Sequence, residues 1–547
     1  MNLTLKNISS LEKVRSVNEM NELCEIKSAK VLAGESYSYQ VCCTTQSKVD
    51  AYVCVDSPLA DYIKAYCVKL AVADRIQPCD DDMIMTEPGL VPDILVPLEC
   101  QNGRMSFFND VTSIWLDVKV PVSFPAGEYP VNIRIENYLD KNDIREKTFS
   151  VEVLPAKIPV QSTIYTQWFY ADCIAQAHDV EVYSEKHWEI TEKYMKMARE
   201  MGINMILTPI ITPPLDTEVG LKRLCTQLVK IEKRAEKYYF DFALLDRWID
   251  VALRCGMEYF EMAHLFSQWG LKFAPNIVVC ENGVEHYKFD TEVRSTDPEY
   301  IEFLNQFVPE LVLYLKKRGI YDKCYFHLSD EPNETHLEAY KFARNVLVPL
   351  VGEERIMDAM SHVEYYKNGL TKLPVIGIDF MEDFLPENIE KLWGYYCSSQ
   401  WNKVSNRFLA MPSYRNRIIG LQIYKFNLVG FLHWGYNYYN GQNSRYPINP
   451  YMTSSCDKCF ESGDAFTVYP MNDSPVPSLR GLVFNEALQD VEVCKLLERY
   501  IGRQAVVKLI DDEAGMEVTF KDYPRNSAYI PCLMEKMKNM ISEFSVK

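Results

Sequence analysis

The sequence predicts an α/β protein: a (β/α)8 TIM-like barrel preceded by an N-terminal antiparallel β-sandwich. Three observations carry that expectation. At 547 residues the chain is too long for one ordinary core, so more than one domain is required. The first 155 or so residues hold short runs of β-branched and aromatic residues divided by turn signals, the pattern of a sandwich. Beyond about residue 160 the rhythm changes to strand and helix in alternation, eight times over, as a barrel with inserted loops requires.

In the front segment, ESYSYQVCC, KVDAYVCVD, SIWLDVKVPVSF and KTFSVEVL read as strands. FPAGEYPVNIRIENY places a Pro-Ala-Gly turn beside another. LPAKIPV, residues 154–160, carries two prolines and reads as a linker. Eight barrel strands are expected at 163–170, 203–208, 257–263, 323–328, 355–360, 374–380, 392–398 and 428–434. SEKHWEITEKYMKMAREMG and DPEYIEFLNQFVPELVLYLKKRG show the apolar spacing of intervening helices. The expected organisation is therefore a sandwich over 1–155, a catalytic barrel over 156–505, and a helical appendage packing on the barrel over 506–547. An open doubly wound sheet is the alternative, but no strand is followed by GxGxxG or GxxxxGK[ST].

Composition narrows the partners. Fifty-eight basic against 76 acidic residues leave a net charge of −18, which disfavours nucleic acid and anionic membrane surfaces. Aromatic residues make up 12%, with Tyr in excess, and suit the flat apolar faces of sugar rings. The 17 cysteines are odd in number and irregular in spacing, so buried free thiols are expected rather than a disulfide scaffold. Cys456 and Cys459 form a CxxC with no second pair to complete a zinc site. MNLTLKNISSLEKVRSVNEM has no apolar signal core and no apolar run has membrane-spanning length, so a cytoplasmic protein is expected.

Barrels of this kind carry their reactive groups at the carboxyl ends of the strands. Read in order, those ends offer Trp168, Tyr170 and Asp172, then Asp216, then His264, Gln268 and Trp269. Asp330 and Glu331 follow, then Ser361 and His362, Asp379, Tyr395 and Tyr396, and finally Trp434, Tyr436 and Asn437. Each of the aromatic and histidine positions also has a packing explanation, and His327, short of its strand end, is expected to pack. Asp172 and Asp379 have the further explanation of capping turns.

The pair Asp330-Glu331 in YDKCYFHLSDEPNETHLEAYKFARNVL is harder to explain by packing. Pro332 and Asn333-Glu334 already supply helix-start chemistry, so the acids are not needed as caps. Neighbouring carboxylates raise one another's pKa, which suits a general acid near neutrality. Glycosidases with two opposed carboxyls hold them about 5–5.5 Å or about 6.5–9.5 Å apart across the scissile bond. Sequence neighbours point in divergent directions along a strand, which makes that opposition awkward. A different division of labour fits them. Glu331 protonates the leaving oxygen, and Asp330 receives the N–H of a 2-acetamido group whose own carbonyl attacks the anomeric carbon. A hydroxyl on the acetamide oxygen completes such a site, and Tyr395 or Tyr396 is the candidate.

FHLSDEP, with TQWFYADCIA, NMILTPIITPPLDT, FLHWGYNYY and SLRGLVFNEALQDVEV, resembles glycoside hydrolase family 123 over nearly the whole chain. The resemblance implies a retaining, exo-acting N-acetyl-β-galactosaminidase with Asp330 as oxazoline stabiliser and Glu331 as acid/base. Its substrate is a glycan ending in a β-linked N-acetylhexosamine, and no metal or organic cofactor is implied. The alternatives are a β-N-acetylglucosaminidase of the same mechanism, a non-catalytic carbohydrate-binding barrel, and a glycosidase using Asp379 or Asp172 as nucleophile. Trp168, Tyr170, Asp172, His264, Trp269, Tyr395, Tyr396, Trp434, Tyr436 and Asn437 are the expected sugar contacts.

Overall fold

The computed structural model describes residues 1–77, 80–108 and 110–545. Its front part is a sandwich of ten strands: β1 (Leu3–Ser9), β2 (Ser28–Ala33), β3 (Ser36–Thr45), β4 (Val49–Asp56), β5 (Ile63–Ala73), β6 (Gly89–Pro97), β7 (Arg104–Phe107), β8 (Val111–Lys119), β9 (Gly127–Asn137) and β10 (Ile144–Lys157). They form two five-stranded sheets, β1-β3-β8-β5-β6 and β2-β10-β9-β4-β7. Pairing is antiparallel except between β2 and β10, which run parallel. Alternation makes the core: Val131, Ile133 and Ile135 of one sheet and Ile114, Leu116 and Val118 of the other are all buried.

The expected linker is partly strand. Lys157 pairs with Ala33, and the register shifts between Leu154 and Lys157. That bulge accommodates Pro155, which has no N–H to give a regular ladder.

The second part contains β11 (Ile164–Gln167), β12 (Met205–Thr208), β13 (Lys230–Arg234), β14 (Lys237–Asp241), β15 (Tyr259–Met262), β16 (Ile277–Glu281), β17 (Val284–Phe289), β18 (Cys324–Phe326), β19 (Met357–Met360), β20 (Leu373–Gly377), β21 (Trp393–Tyr395), β22 (Gly430–His433), β23 (Val468–Met471) and β24 (Ser474–Pro477). Eight of these make a parallel sheet in the order β18-β15-β12-β11-β22-β21-β20-β19, and each falls within or against an expected barrel strand. The sheet curls until Phe326 bridges Ile356, which brings β18 beside β19 and nearly closes the barrel. Hairpins β13/β14 and β16/β17, inserted after β12 and β15, join into a four-stranded side sheet that the strand count did not include.

Helix starts follow local chemistry. Ser184 accepts the His187 N–H ahead of Glu185–Glu200, and Asp297 caps Pro298–Lys317 with proline in its first turn. After β19 and β20 the helices shrink to single turns, Glu364–Lys367 and Met381–Phe384.

The two parts share buried charge. Arg480, at the start of the helix Leu479–Ile501, forks onto Asp93 of β6 with two bonds of 2.9 Å, and the Tyr469 hydroxyl donates to the same carboxylate at 2.7 Å. Glu486, two turns further on, accepts from Ser10 of the sandwich at 3.0 Å and from Arg417 of the barrel at 2.9 Å. The tail also spans both parts rather than packing on the barrel alone. Its helix Tyr529–Ser545 lies against β2, β10 and the Leu479–Ile501 helix. Lys538 there is buried, donates to the Lys30 carbonyl at 3.1 Å and pairs with Glu35. The sixteen described cysteines are free.

Arg480→Ala leaves the Asp93 charge buried and uncompensated, so it is expected to lower stability by about 3–5 kcal/mol. Urea unfolding checks this. The double replacement Asp93→Leu/Arg480→Met should recover most of the loss, because it removes both charges.

Candidate active site

The site begins where a strand leaves its sheet. β18 ends at Phe326, and the next residues have no strand partner on the β19 side. Asp358 of β19 fills the gap with its side chain, accepting the N–H of Leu328 at 2.9 Å and of Ser329 at 3.2 Å on Oδ1. Its Oδ2 accepts the Tyr340 hydroxyl at 2.7 Å. The chain then reaches Asp330, and Glu331 adopts the left-handed conformation with φ +41°. That turn cancels the alternation of an extended strand, so the two neighbouring carboxyls open onto one cavity rather than diverging. Capping is done elsewhere. Asn333 accepts the Thr335 N–H at 3.0 Å and donates its own N–H to His336 Nδ1 at 3.3 Å, which frees the acids from that duty.

The cavity holds about 180 Å³. Trp168, Tyr170 and Trp434 wall it from β11 and β22, with Phe460 from the loop after β22. Asp216 and Gln268 enter from the loops after β12 and β15, and Tyr395, Cys397, Ser398 and Ser399 from the end of β21. Tyr395 donates to Glu331 Oε1 at 2.6 Å. Trp168 donates its indole N–H to buried Glu261 at 2.7 Å, and Trp434 donates its own to buried Asp464 at 2.8 Å.

The remaining expected contacts are supports. Asp172 lies in a buried ion pair with Arg223, whose Nε is 2.9 Å from Oδ2, so its charge is spent on the loop below the cavity. Trp269 donates to the Thr217 carbonyl at 2.7 Å and braces the loop that carries Asp216. His264 is buried, with its ring stacked on His327 at 4.1 Å. Tyr396 points away from the cavity and donates to Asn416 at 3.1 Å, which leaves Tyr395 as the site hydroxyl. Tyr436 donates to the Tyr194 carbonyl at 2.9 Å. Asn437 clasps both backbone groups of Tyr170, at 2.9 and 3.0 Å. Except for His264, whose ring nitrogens have no hydrogen-bond partner among the described residues, the polar groups of these side chains are already satisfied. Asp379 does not line the cavity either.

Asp216, Gln268, Ser398, Ser399 and Phe460 complete the wall beyond the expected contacts. Asp216 and Gln268 were visible as strand-end residues, and both serines follow Tyr395-Tyr396 after one intervening residue, Cys397. Phe460 had no local signal. It arrives on a long loop tied down through Asp464 and admitted by Gly435, where a Cβ would stand 2.5 Å from the Ala465 carbonyl oxygen.

Electrostatics favour a shared proton. Burial holds Asp330 well above the ordinary carboxylate range, and the Glu331 charge adds to this. Glu331 keeps an exposed surface, yet the protein mass around it also raises its pKa, while the Tyr395 hydrogen bond opposes the rise. The pair therefore holds a proton more tightly than two free carboxyls would. Asp216 is also raised by burial, against the pull of Tyr438, whose hydroxyl donates to Oδ2 at 2.5 Å.

A parallel barrel with adjacent acids on an aromatic-walled cavity at its carboxyl face defines the class: a glycoside hydrolase. The catalytic-domain profile of glycoside hydrolase family 123 matches residues 168–497, and the chain belongs to that family. Its fold is similar to that of the family 123 glycoside hydrolase from Clostridium perfringens, with a TM-score of 0.73 and 17% identity over 100% of this chain and 98% of that one. That enzyme's structural analysis concerns glycolipid glycan hydrolysis. A calcium-binding mutant of Bacteroides uniformis beta-glucuronidase 2 aligns at 10% identity over 81% of this chain and 47% of its own, but at a TM-score of 0.28 it carries no argument. No curated protein sequence matches the chain.

Tyr395→Phe removes a donor that stabilises the Glu331 carboxylate. The Glu331 pKa should rise, and the acid limb of kcat/KM, where the ionised Glu331 of the free site takes up a proton, should move to higher pH. A pH–rate profile on an aryl glycoside checks the sign.

Proposed function

We propose that the protein is a retaining, exo-acting β-N-acetylhexosaminidase that prefers N-acetylgalactosamine and uses the substrate's 2-acetamido group as nucleophile. The observation that carries the reading is the placement of Asp330 and Glu331 on one side of a cavity small beside the ~300–1,000 Å³ usual for ligand sites. Such a space suits one terminal sugar ring, and the neighbouring acids leave the attack to a group on the sugar itself.

In the free site Tyr395 stabilises charge on Glu331, and no described donor reaches the Asp330 carboxyl, so the shared proton rests toward Asp330. A bound sugar reverses this. Its amide N–H donates to Asp330 and its glycosidic oxygen lies against Glu331, which draws the negative charge to Asp330 and the proton to Glu331. The acetamide oxygen then bonds to C1 as the C1–O bond to the aglycone breaks, and Glu331 gives its proton to the departing oxygen. The oxazolinium cation is balanced by the Asp330 carboxylate. In the second step water attacks C1, Glu331 takes its proton, and the ring opens to the sugar with configuration retained.

Asp216 is a third carboxyl on the cavity, but burial and the Tyr438 bond blunt it as a nucleophile and suit it to receiving sugar hydroxyls. The aglycone leaves through the open side of the cavity, where the glycan of a glycolipid is a fitting substrate by analogy with the Clostridium perfringens enzyme.

Glu331→Gln should lose activity most severely on substrates with poor leaving groups, by about 10²–10⁴-fold. Asp330→Asn should lose it even on activated ones, and a thiazoline analogue should inhibit tightly. Paired aryl N-acetyl-β-galactosaminide and N-acetyl-β-glucosaminide substrates read the preference. Full activity on a sugar lacking the 2-acetamido group would sink the mechanism. A covalent adduct with a 2-fluorosugar would move the nucleophile to a protein carboxylate. A further prediction concerns mainly binding: Asp216→Asn should raise KM more than it lowers kcat.

A further inference from the structure

Beneath the turn that carries Asp330 lies a titratable group that the reaction above does not use. His327 stands three residues before Asp330 and is 1% exposed, yet both ring nitrogens face carboxylates. Nε2 is hydrogen-bonded to Glu261 Oε1 at 2.6 Å, and Nδ1 lies 3.4 Å from Asp358 Oδ1, an ion-pair contact without hydrogen-bond geometry. Two buried acids around one imidazole favour the doubly protonated ring, since a neutral ring would leave one nitrogen lone pair against a negative oxygen. Its other neighbour is His264, stacked on it at 4.1 Å, whose ring nitrogens have no protein partner. Burial and the His327 charge both hold His264 neutral, while Glu261 and Asp358 push His327 up to about 9 against the cost of burial.

Each carboxylate of this triad also grips part of the site. Glu261 accepts from Trp168, a wall of the cavity, and from Thr166 at 2.7 Å. Asp358 accepts the two peptide N–H groups that precede Asp330. The charges facing Asp330 are Glu331, Asp358 and Asp216, all of which oppose its ionisation, and His327, which favours it.

We propose that His327 is a positioning residue: as an imidazolium clamped between Glu261 and Asp358, it supplies the positive charge that lets Asp330 become anionic when the acetamide N–H arrives. It also ties the Trp168 wall to the turn that carries Asp330. This rests on the acetamido-assisted reading and adds to it the means by which a half-buried Asp330 takes up its charge.

The test uses the full chain and the isosteric-length, neutral His327→Gln. Loss of the imidazolium should move the acid limb of kcat, where the Asp330 carboxylate of the sugar complex takes up a proton, to higher pH by about one to three units. A purely structural histidine would lower the folded fraction and leave the limb in place. Two readouts stand apart from turnover. In wild type the His327 ring signals, assigned by their disappearance in His327→Gln, should titrate near pH 9. In ¹³C-aspartate-labelled protein the Asp330 carboxyl midpoint should rise when His327 is replaced. Glu261→Gln keeps an acceptor for Trp168, folds with less perturbation, and should lower the imidazole midpoint. A His327 ring neutral at pH 7, or an Asp330 midpoint unmoved in both variants, overturns the proposal. Inactivity of wild type on every β-N-acetylhexosaminide would instead overturn the substrate reading, with the two titrations still deciding the role of His327.

Discussion

The turn that presents Asp330 and Glu331 exists because one carboxylate stands in for a missing stretch of sheet. Where β18 and β19 part after the Phe326–Ile356 bridge, the N–H groups of Leu328 and Ser329 are buried with no strand to receive them. Each unpaired donor would cost about 1–3 kcal/mol. Asp358 accepts both, and that lets the chain leave the ladder and reverse at Glu331. Had pairing continued, side chains at 330 and 331 would have pointed to opposite faces of the sheet. The seam of the barrel is thus the place where two acids can be brought together, and the near-closure of the sheet is a requirement of the site.

The rest of the cavity is built by loops pinned from below. Arg223 and Asp172, Trp269, and Tyr438 together hold the segment that carries Asp216. After β22 the same task falls to Arg407. It is wholly buried and donates to Gln167, to His433 Nδ1 and to the carbonyl of Asp464. Asp464, pushed up to about 6 by burial, in turn fixes the indole of Trp434. Rigid support of this kind is what long loops need if they are to present side chains with the precision that transition-state binding demands. Many of the polar and aromatic residues near the strand ends serve this purpose and never reach the cavity.

That division explains what could be read in the sequence. Parallel strands buried on both faces are continuous apolar runs, so all eight were visible, and their ends pointed to the functional face. The acids were legible because nothing local required them: Asn333 already began the helix. What a strand-end residue bonds to is decided by distant chain. Asp172 and Asp216 look alike in sequence, yet Arg223, 51 residues on, claims the first and leaves the second facing the cavity. Trp269 and Trp434 differ in the same way, one braced on a loop carbonyl and the other lining the site. His327, expected to pack, does pack, but between two charges that come from neighbouring strands.

The Asp93–Arg480 contact has a consequence for how the molecule is made. Synthesis runs from the amino end, and domains tend to fold in that order. The sandwich emerges complete in its strands by Lys157, but the guanidinium that neutralises Asp93 lies more than three hundred residues downstream, and the helix that covers β2 and β10 comes later still. On the ribosome the front domain must therefore wait, holding an unmet acid and an uncovered edge, until the last helices are delivered. The final hundred residues finish a domain that the first hundred began.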